Sequence, residues 1–335
     1  SRTIGSSFGV PRSVASAPSA PAPPWEGLAR PRRCGRVHEF AVPLPAPSDP
    51  SVLTALPAPT ALAASSTEAD SRSGDPARSR RAADATGAPS APPATGAAGA
   101  ADAPGAAGSG GGCENSEGSE SSENSERVWV YEPAGGAAGT SVLILFDGQV
   151  WLRQMGLVPA LDALIDSGAL PPVHVAMIDS RDQGEHRAEH LGVPGGHVDL
   201  VIDGLLPLLR DRFAVSPCGA DTVVSGQSYG GIASLWTLAL ADGGVGHAIA
   251  QSPSLWRFDV SGALASCPHW LTVRILSGTF EGPMLAHARE LARALSGREV
   301  TVTPVSGGHD WAWWSVRLVT ELIDLLTARG AGPGR

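Results

Sequence analysis

From residue 127 onward the chain alternates short apolar runs with stretches whose apolar residues recur at helical spacing. Continuous or period-two apolar runs predict strands over 128–131, 141–146, 173–178, 221–224, 247–250, 271–276 and 299–305. Helical periodicity predicts helices over 157–167, 197–213, 231–241, 284–295 and 316–327. Strands in regular alternation with helices imply a mostly parallel α/β sheet with helices on both faces. About 200 residues carry this pattern, enough for one sizeable core.

The first third has a different texture. Residues 43–126 are dominated by Ala, Pro, Gly and Ser, and between Glu114 and Glu126 a Glu recurs every three residues among Ser, Asn and Gly. Such a segment has too few large apolar groups to offset the entropy of ordering, so a disordered low-complexity linker is expected there. The 335 residues therefore divide into 1–42, the linker 43–126 and a folded part at 127–330.

Composition narrows the function classes. All 24 basic residues are Arg, a bias of composition more than a sign of nucleic-acid binding, and from Arg127 on there are 14 Arg against 20 acidic residues. An acidic folded half predicts no nucleic-acid partner. Cys34, Cys113, Cys218 and Cys267 lack metal-site or framework spacing, so plain thiols and no metal are expected. The sequence begins at Ser1, and its apolar runs are too short for a signal peptide or a membrane span. The expectation is a cytoplasmic protein with no membrane partner.

The sharpest chemical signal is Gly226-Gln227-Ser228-Tyr229-Gly230, between a predicted strand and a predicted helix. A Gly-x-Ser-x-Gly turn in that context is a nucleophile elbow: a strained bend lifts the Ser228 hydroxyl off the sheet, and the glycines let strand and helix approach closely. The Tyr229 amide would face the oxygen that becomes negative on attack. A neutral hydroxyl needs a base. His309, in Gly307-Gly308-His309-Asp310-Trp311, follows the last predicted strand and precedes the last helix, where an α/β-hydrolase carries its histidine. His190, His197 and His287 read as structural or surface residues. For the carboxylate that orients the base, Glu281 lies just past the strand ending at Leu276; Asp259 is the reserve, and Asp310 is adjacent to the histidine it would have to orient. The loop Phe146-Asp147-Gly148-Gln149 supplies a candidate second oxyanion donor, the amide of Gly148 or Gln149, with an ordinary turn as the rival reading.

These residues together resemble the enterochelin esterases, which cleave ferric catecholate siderophores. The resemblance rests on Phe146-Asp147-Gly148-Gln149 with Trp151, on Asp179 and Arg187 after the strand 175–178, on the elbow, on Gln251-Ser252-Pro253-Ser254-Leu255-Trp256, on Gly278-x-x-Glu281 and on Gly307-Gly308-His309-Asp310-Trp311-x-x-Trp314. It covers about residues 127–327. It implies an α/β-hydrolase in which Ser228 is the nucleophile, His309 the base and Glu281 the acid, with Arg187 facing the anionic siderophore and Arg257, beside Trp256, the next arginine. Full-length members carry an N-terminal β-rich domain, and residues 17–25 and 35–40 look like its end and connector, making 1–42 a remnant. The chain departs from its relatives at His190, where they tend to have an acidic residue before the Leu.

The implied reaction is hydrolysis of the ester bonds of an enterobactin-type siderophore without a cofactor, iron entering only as part of the substrate. Trp256, Trp311 and Trp314 are candidates to stack on catechols, with core packing as the alternative for each. Two rivals stay open. A carboxylesterase or acyltransferase of the same fold would keep the three polar residues without needing Arg187, and a non-catalytic binding protein would hold the siderophore without turnover.

Overall fold

The computed structural model describes residues 22–45, 125–181 and 184–330. Eight strands form one sheet: β1 (Arg36–Pro43), β2 (Ser125–Glu132), β3 (Ser141–Leu145), β4 (Val173–Ile178), β5 (Thr222–Gln227), β6 (His247–Gln251), β7 (Thr272–Gly278) and β8 (Glu299–Val305). Their spatial order is β1-β2-β4-β3-β5-β6-β7-β8. The two pairings that involve β2 are antiparallel, and every pairing from β4 to β8 is parallel. The mostly parallel α/β sheet expected from the sequence is present.

Pleating explains how the sheet builds two cores. Val142 and Ile144 of β3, Ala176 and Ile178 of β4, and Ala248 and Ala250 of β6 point into one buried cluster, and alternate residues Leu143, Leu145, Val175, Met177 and Ile249 point into another. The first cluster is closed by α3 (Glu185–Leu191), α4 (residues 197–212), α5 (Tyr229–Leu240), α6 (Ser261–Ala265) and α7 (Met284–Ala294). Here α4 comprises three consecutive pieces, His197–Asp199, a π segment Leu200–Leu205 and Leu206–Arg212. The second cluster is closed by α1 (Gly148–Arg153), α2 (Leu157–Asp166) and α8 (Trp311–Gly330). Among the described residues, no helix is long and apolar enough to cross a membrane.

The boundaries near the linker need correcting. Residues 36–43 were assigned mainly to a separate remnant, yet they form β1 and pair along their whole length with β2, from Arg36 opposite Glu132 to Pro43 opposite Ser125. Trp25 is buried in the same core as α2, and the Gly35 amide donates to Asp162 Oδ1 at 2.7 Å. Ser125 and Glu126, placed in the linker, open β2 and are buried. Glu126 can be buried because Arg181 Nε lies 3.1 Å from its Oε2, compensating the charge. The rest of the proposed linker, 46–124, and residues 1–21 lie outside the described residues.

The final helix starts five residues earlier than its apolar periodicity predicts. Asp310 Oδ1 accepts the Ala312 N–H at 2.8 Å and caps the first turn, so Trp311 and Trp314 are helical. Two short helices next to the site, α1 and α3, were also absent from the sequence reading.

Candidate active site

Ser228 sits between β5 and α5 with φ 59° and ψ −116°, a conformation a non-glycine residue adopts only when its surroundings impose it. The surroundings do so. A Cβ on Gly226 would lie 2.6 Å from the Gly230 backbone, and one on Gly230 would lie 3.1 Å from Phe146 Cβ. Strand and helix are thus closer than any side chain would allow. The Ser228 amide donates to Gln251 O at 2.9 Å, and its Oγ lies 3.4 Å from Ser254 Oγ.

The loops after β7 and β8 are joined by backbone hydrogen bonds, Thr279 N–H to Val305 O and Phe280 N–H to Gly307 O. This brings Glu281 to His309, whose Nδ1 is 3.0 Å from Glu281 Oε1. The carboxylate is 1% exposed and the imidazole 43%, so the acid is sheltered and the base reaches solvent. Ser252 Oγ donates to both carboxylate oxygens at 2.7 and 2.9 Å, and the Gly278 amide donates to Oε2 at 2.7 Å. Asp259 instead accepts from Ser261 N–H at the start of α6, and Asp310 caps α8. Of the three candidate acids, Glu281 is the one that meets the histidine.

Ser252 had no role in the sequence reading. It has φ 44° and is buried, and its hydroxyl also accepts from Trp314 Nε1 at 3.1 Å. The signal was the Gln-Ser-x-Ser-x-Trp string after β6, which carried the family resemblance without an assigned function.

The floor of the site is a buried polar network built on Asp147. This residue has φ 57° and no solvent exposure. Arg187 grips both its oxygens, Nε to Oδ1 at 2.6 Å and Nη2 to Oδ2 at 2.8 Å, and Arg187 Nη2 also reaches Gln227 O at 3.2 Å. Ser180 Oγ donates to Oδ1 and Gln227 Nε2 to Oδ2. Arg187, expected to face an anionic substrate, is therefore buried and its charge is matched by Asp147; that is a correction. The carboxylate is forced inward by the left-handed turn before α1, and a buried carboxylate needs a charged, hydrogen-bonded partner.

Gly148 and Gln149 open α1. A Cβ on Gly148 would lie 2.4 Å from the Met177 carbonyl carbon, so the close approach of β4 requires the glycine. The Gln149 side chain is tied to Ser180 through Nε2 to Oγ at 2.7 Å and Ser180 N–H to Oε1 at 3.1 Å. Tyr229 is the first residue of α5, and its ring lies beneath the guanidinium groups of Arg187 and Arg257, 5.3 and 5.5 Å away.

The tryptophans separate into two kinds. Trp256 and Trp311 are exposed, and Trp256 lies 6.0 Å from the Tyr229 ring. Trp314 is buried, its ring T-shaped to His309 at 4.8 Å and its N–H spent on Ser252, so for this residue the core-packing alternative holds. Arg257 donates to Gly192 O at 3.0 Å. Phe280, beside Glu281, is a further exposed aromatic, to which the sequence reading gave no role.

Comparison with known proteins identifies the family. The Esterase family model matches residues 119–325. The chain is 29% identical over 199 residues to the Iron(III) salmochelin esterase of Escherichia coli O6:H1, covering 53% of this chain and 48% of that protein. It is 30% identical over 214 residues to the Iron(III) enterobactin esterase of Escherichia coli K12, covering 59% and 53%. The crystal structure of the enterobactin esterase from Shigella flexneri in the presence of 2,3-di-hydroxy-N-benzoyl-serine superposes with a TM-score of 0.57 at 28% identity, over 62% of this chain and 57% of that one. The chain spans about half the length of the curated relatives it matches. With its α/β sheet, its elbow serine and its histidine–glutamate pair, the chain belongs to the Esterase family and resembles, within it, the enterochelin esterases.

Proposed function

We propose that the protein is a serine esterase that hydrolyses the ester bonds of a catecholate siderophore of enterobactin type, with Ser228, His309 and Glu281 as nucleophile, base and acid. The observation that carries this reading is the His309–Glu281 contact at 3.0 Å in a chain whose Ser228 is held at an elbow. Ser228 Oγ attacks the ester carbonyl as His309 removes its proton, and Glu281 holds the imidazole in the tautomer that presents Nε2 to the serine. His309 then protonates the leaving alkoxide. Water repeats the two steps on the acyl-enzyme and releases a linear catechol-serine product.

Charge on the tetrahedral oxygen would be met by backbone amides. Tyr229 and Gly148 are the first residues of α5 and α1, where helical N–H groups lack an intrahelical acceptor. Gln149 follows Gly148 with its side chain locked to Ser180, which leaves its amide as the alternative donor. Trp256, Trp311 and Phe280 offer exposed ring faces to catechols, and Arg257 is the arginine nearest to Trp256 in sequence. No cofactor enters the scheme, and iron takes part only as cargo of the substrate.

One observation favours a second reading, a carboxylesterase of broader substrate range. Arg187, which the family resemblance assigned to the anionic siderophore, is engaged by Asp147. Incubation with ferric and iron-free triscatecholate trilactones and with a p-nitrophenyl ester separates the two. Preferential release of linear catechol-serine fragments supports the siderophore reading, and turnover of the simple ester alone supports the broader one.

A further inference from the structure

Away from Ser228, three elements bring one carboxylate and three imidazoles together. β2 contributes Glu126, α3 contributes His186 and His190, and α4 opens with His197. The i, i+4 spacing puts both α3 histidines on one face of the helix. Ring centroids lie 4.3 Å apart for His186 and His190, 5.2 Å for His190 and His197, and 6.0 Å for His186 and His197. Ligand atoms of Glu126, His186 and His190 all lie within 4.8 Å of one another. Glu126 and His197 have no solvent exposure.

These atoms crowd around one carboxylate oxygen. Glu126 Oε1 is 3.0 Å from His186 Nε2 and 3.7 Å from His197 Nε2. None of Glu126 Oε1, His186 Nε2, His190 Nδ1 and the two His197 nitrogens, all buried, makes a hydrogen bond of good geometry among the described residues. Buried polar atoms are normally satisfied, and four of these, one from each side chain, can share a single partner, since each imidazole gives an ion one nitrogen. Arg181 takes the other oxygen of Glu126 at 3.1 Å, which orients the carboxylate with Oε1 toward the rings, as an outer-shell group does around a metal.

We propose that Glu126, His186, His190 and His197 bind a divalent transition-metal ion of the zinc class. Three imidazoles and a carboxylate are a donor set that suits this ion. Bonds of about 2.0–2.2 Å place tetrahedral ligand atoms roughly 3.5 Å apart, so on binding the wider pairs, up to 4.8 Å apart, close in, and Glu126 Oε1 and His186 Nε2, at 3.0 Å, part slightly. The ion would cross-link β2, α3 and α4. His186 precedes Arg187, so it would also pin the helix that clamps Asp147 beneath the elbow serine. His190, where the sequence departs from the enterochelin esterases, is one of the ligands.

The test uses the full chain, stripped with a chelator and titrated with zinc chloride against a chromophoric competitor, with bound metal counted by mass spectrometry. The expected result is one zinc per chain and a higher melting temperature. His190→Gln and Glu126→Gln should each weaken zinc binding by at least about 100-fold with unchanged far-UV circular dichroism, whereas His309→Ala and Cys218→Ser should keep the ion. Cobalt(II) provides a readout on the unmutated chain should a variant fail to fold: d–d bands of a nitrogen and oxygen site, without thiolate charge transfer, are expected. No stoichiometric metal, zinc lost on His309→Ala but kept on His190→Gln, or a thiolate band would each overturn the proposal.

Discussion

Arg187 and Asp147 form a buried two-point ion pair, 2.6 and 2.8 Å long, under the turn that carries Ser228. The pair joins α3 to the loop after β3 and reaches the Gln227 carbonyl one residue before the serine. Breaking a buried pair from one side strands a charge, at a cost of about 3–5 kcal/mol. Arg187→Gln should therefore lower the melting temperature by roughly 10 °C. Hydrolysis of charged and neutral esters should fall together. A variant with unchanged melting temperature that loses only the ferric substrate would make Arg187 a substrate contact after all.

Ser252 and Gly278 fix Glu281, and Glu281 fixes His309. A hydrogen bond to a charged group contributes about 1.5–3 kcal/mol, so Ser252→Gly, which keeps the left-handed backbone open to it, should reduce kcat by roughly 10- to 100-fold with KM nearly unchanged. Glu281→Gln, which favours the wrong imidazole tautomer, should cost more, on the order of 10⁴-fold. Steady-state kinetics on a p-nitrophenyl ester checks both. An unchanged kcat in Glu281→Gln would remove the glutamate from the mechanism.

Trp256 and Trp314 should respond in opposite ways. Trp314 is buried and bonded to Ser252, so Trp314→Ala should lose about 3–5 kcal/mol of stability in chemical denaturation. Trp256 is 57% exposed, so Trp256→Ala should leave the denaturation midpoint in place and raise KM for catechol esters more than for an aliphatic ester. Equal effects on both esters would remove Trp256 from substrate recognition.

His174 provides a pH signature. Burial lowers its pKa from the ordinary 6.5; the Glu132 charge opposes that shift and His38 adds to it. The folded chain then holds a neutral ring where the unfolded chain takes up a proton. Its contribution is fully present above pH 6.5 and is lost as pH falls from there through the lowered folded value. His174→Asn, which can still meet Thr140 Oγ1, should flatten the fall in melting temperature below pH 6.5. An unchanged slope would show that other groups set it.

Much of this was legible because its signals are local. The strands from β2 to β8 follow apolar runs, β8 to the residue, and the elbow announces itself through two glycines and a serine between a strand and a helix. What was missed depends on distant partners. Glu126 continues a three-residue Glu repeat in sequence, and nothing in that repeat marks its burial beside Arg181, 55 residues away. Arg187 has its partner 40 residues upstream, so nothing nearby marks it as spent. β1 is a half-buried edge strand whose pairing residues in β2 are some 80 or more positions on, and its own alternation is weak. The early start of α8 could have been found from Asp310, a capping residue ahead of the tryptophans.

The central claim is that Ser228 opens the ester ring of a catecholate siderophore. It is tested most directly by incubating the protein and its Ser228→Ala variant with a ferric triscatecholate trilactone and following linear catechol-serine fragments by mass spectrometry. The account predicts fragments from the parent and a loss of several orders of magnitude in the variant, with His309→Ala alike and the double variant no worse, since the two residues act as one unit. Linear fragments released at the parent rate by Ser228→Ala would contradict it.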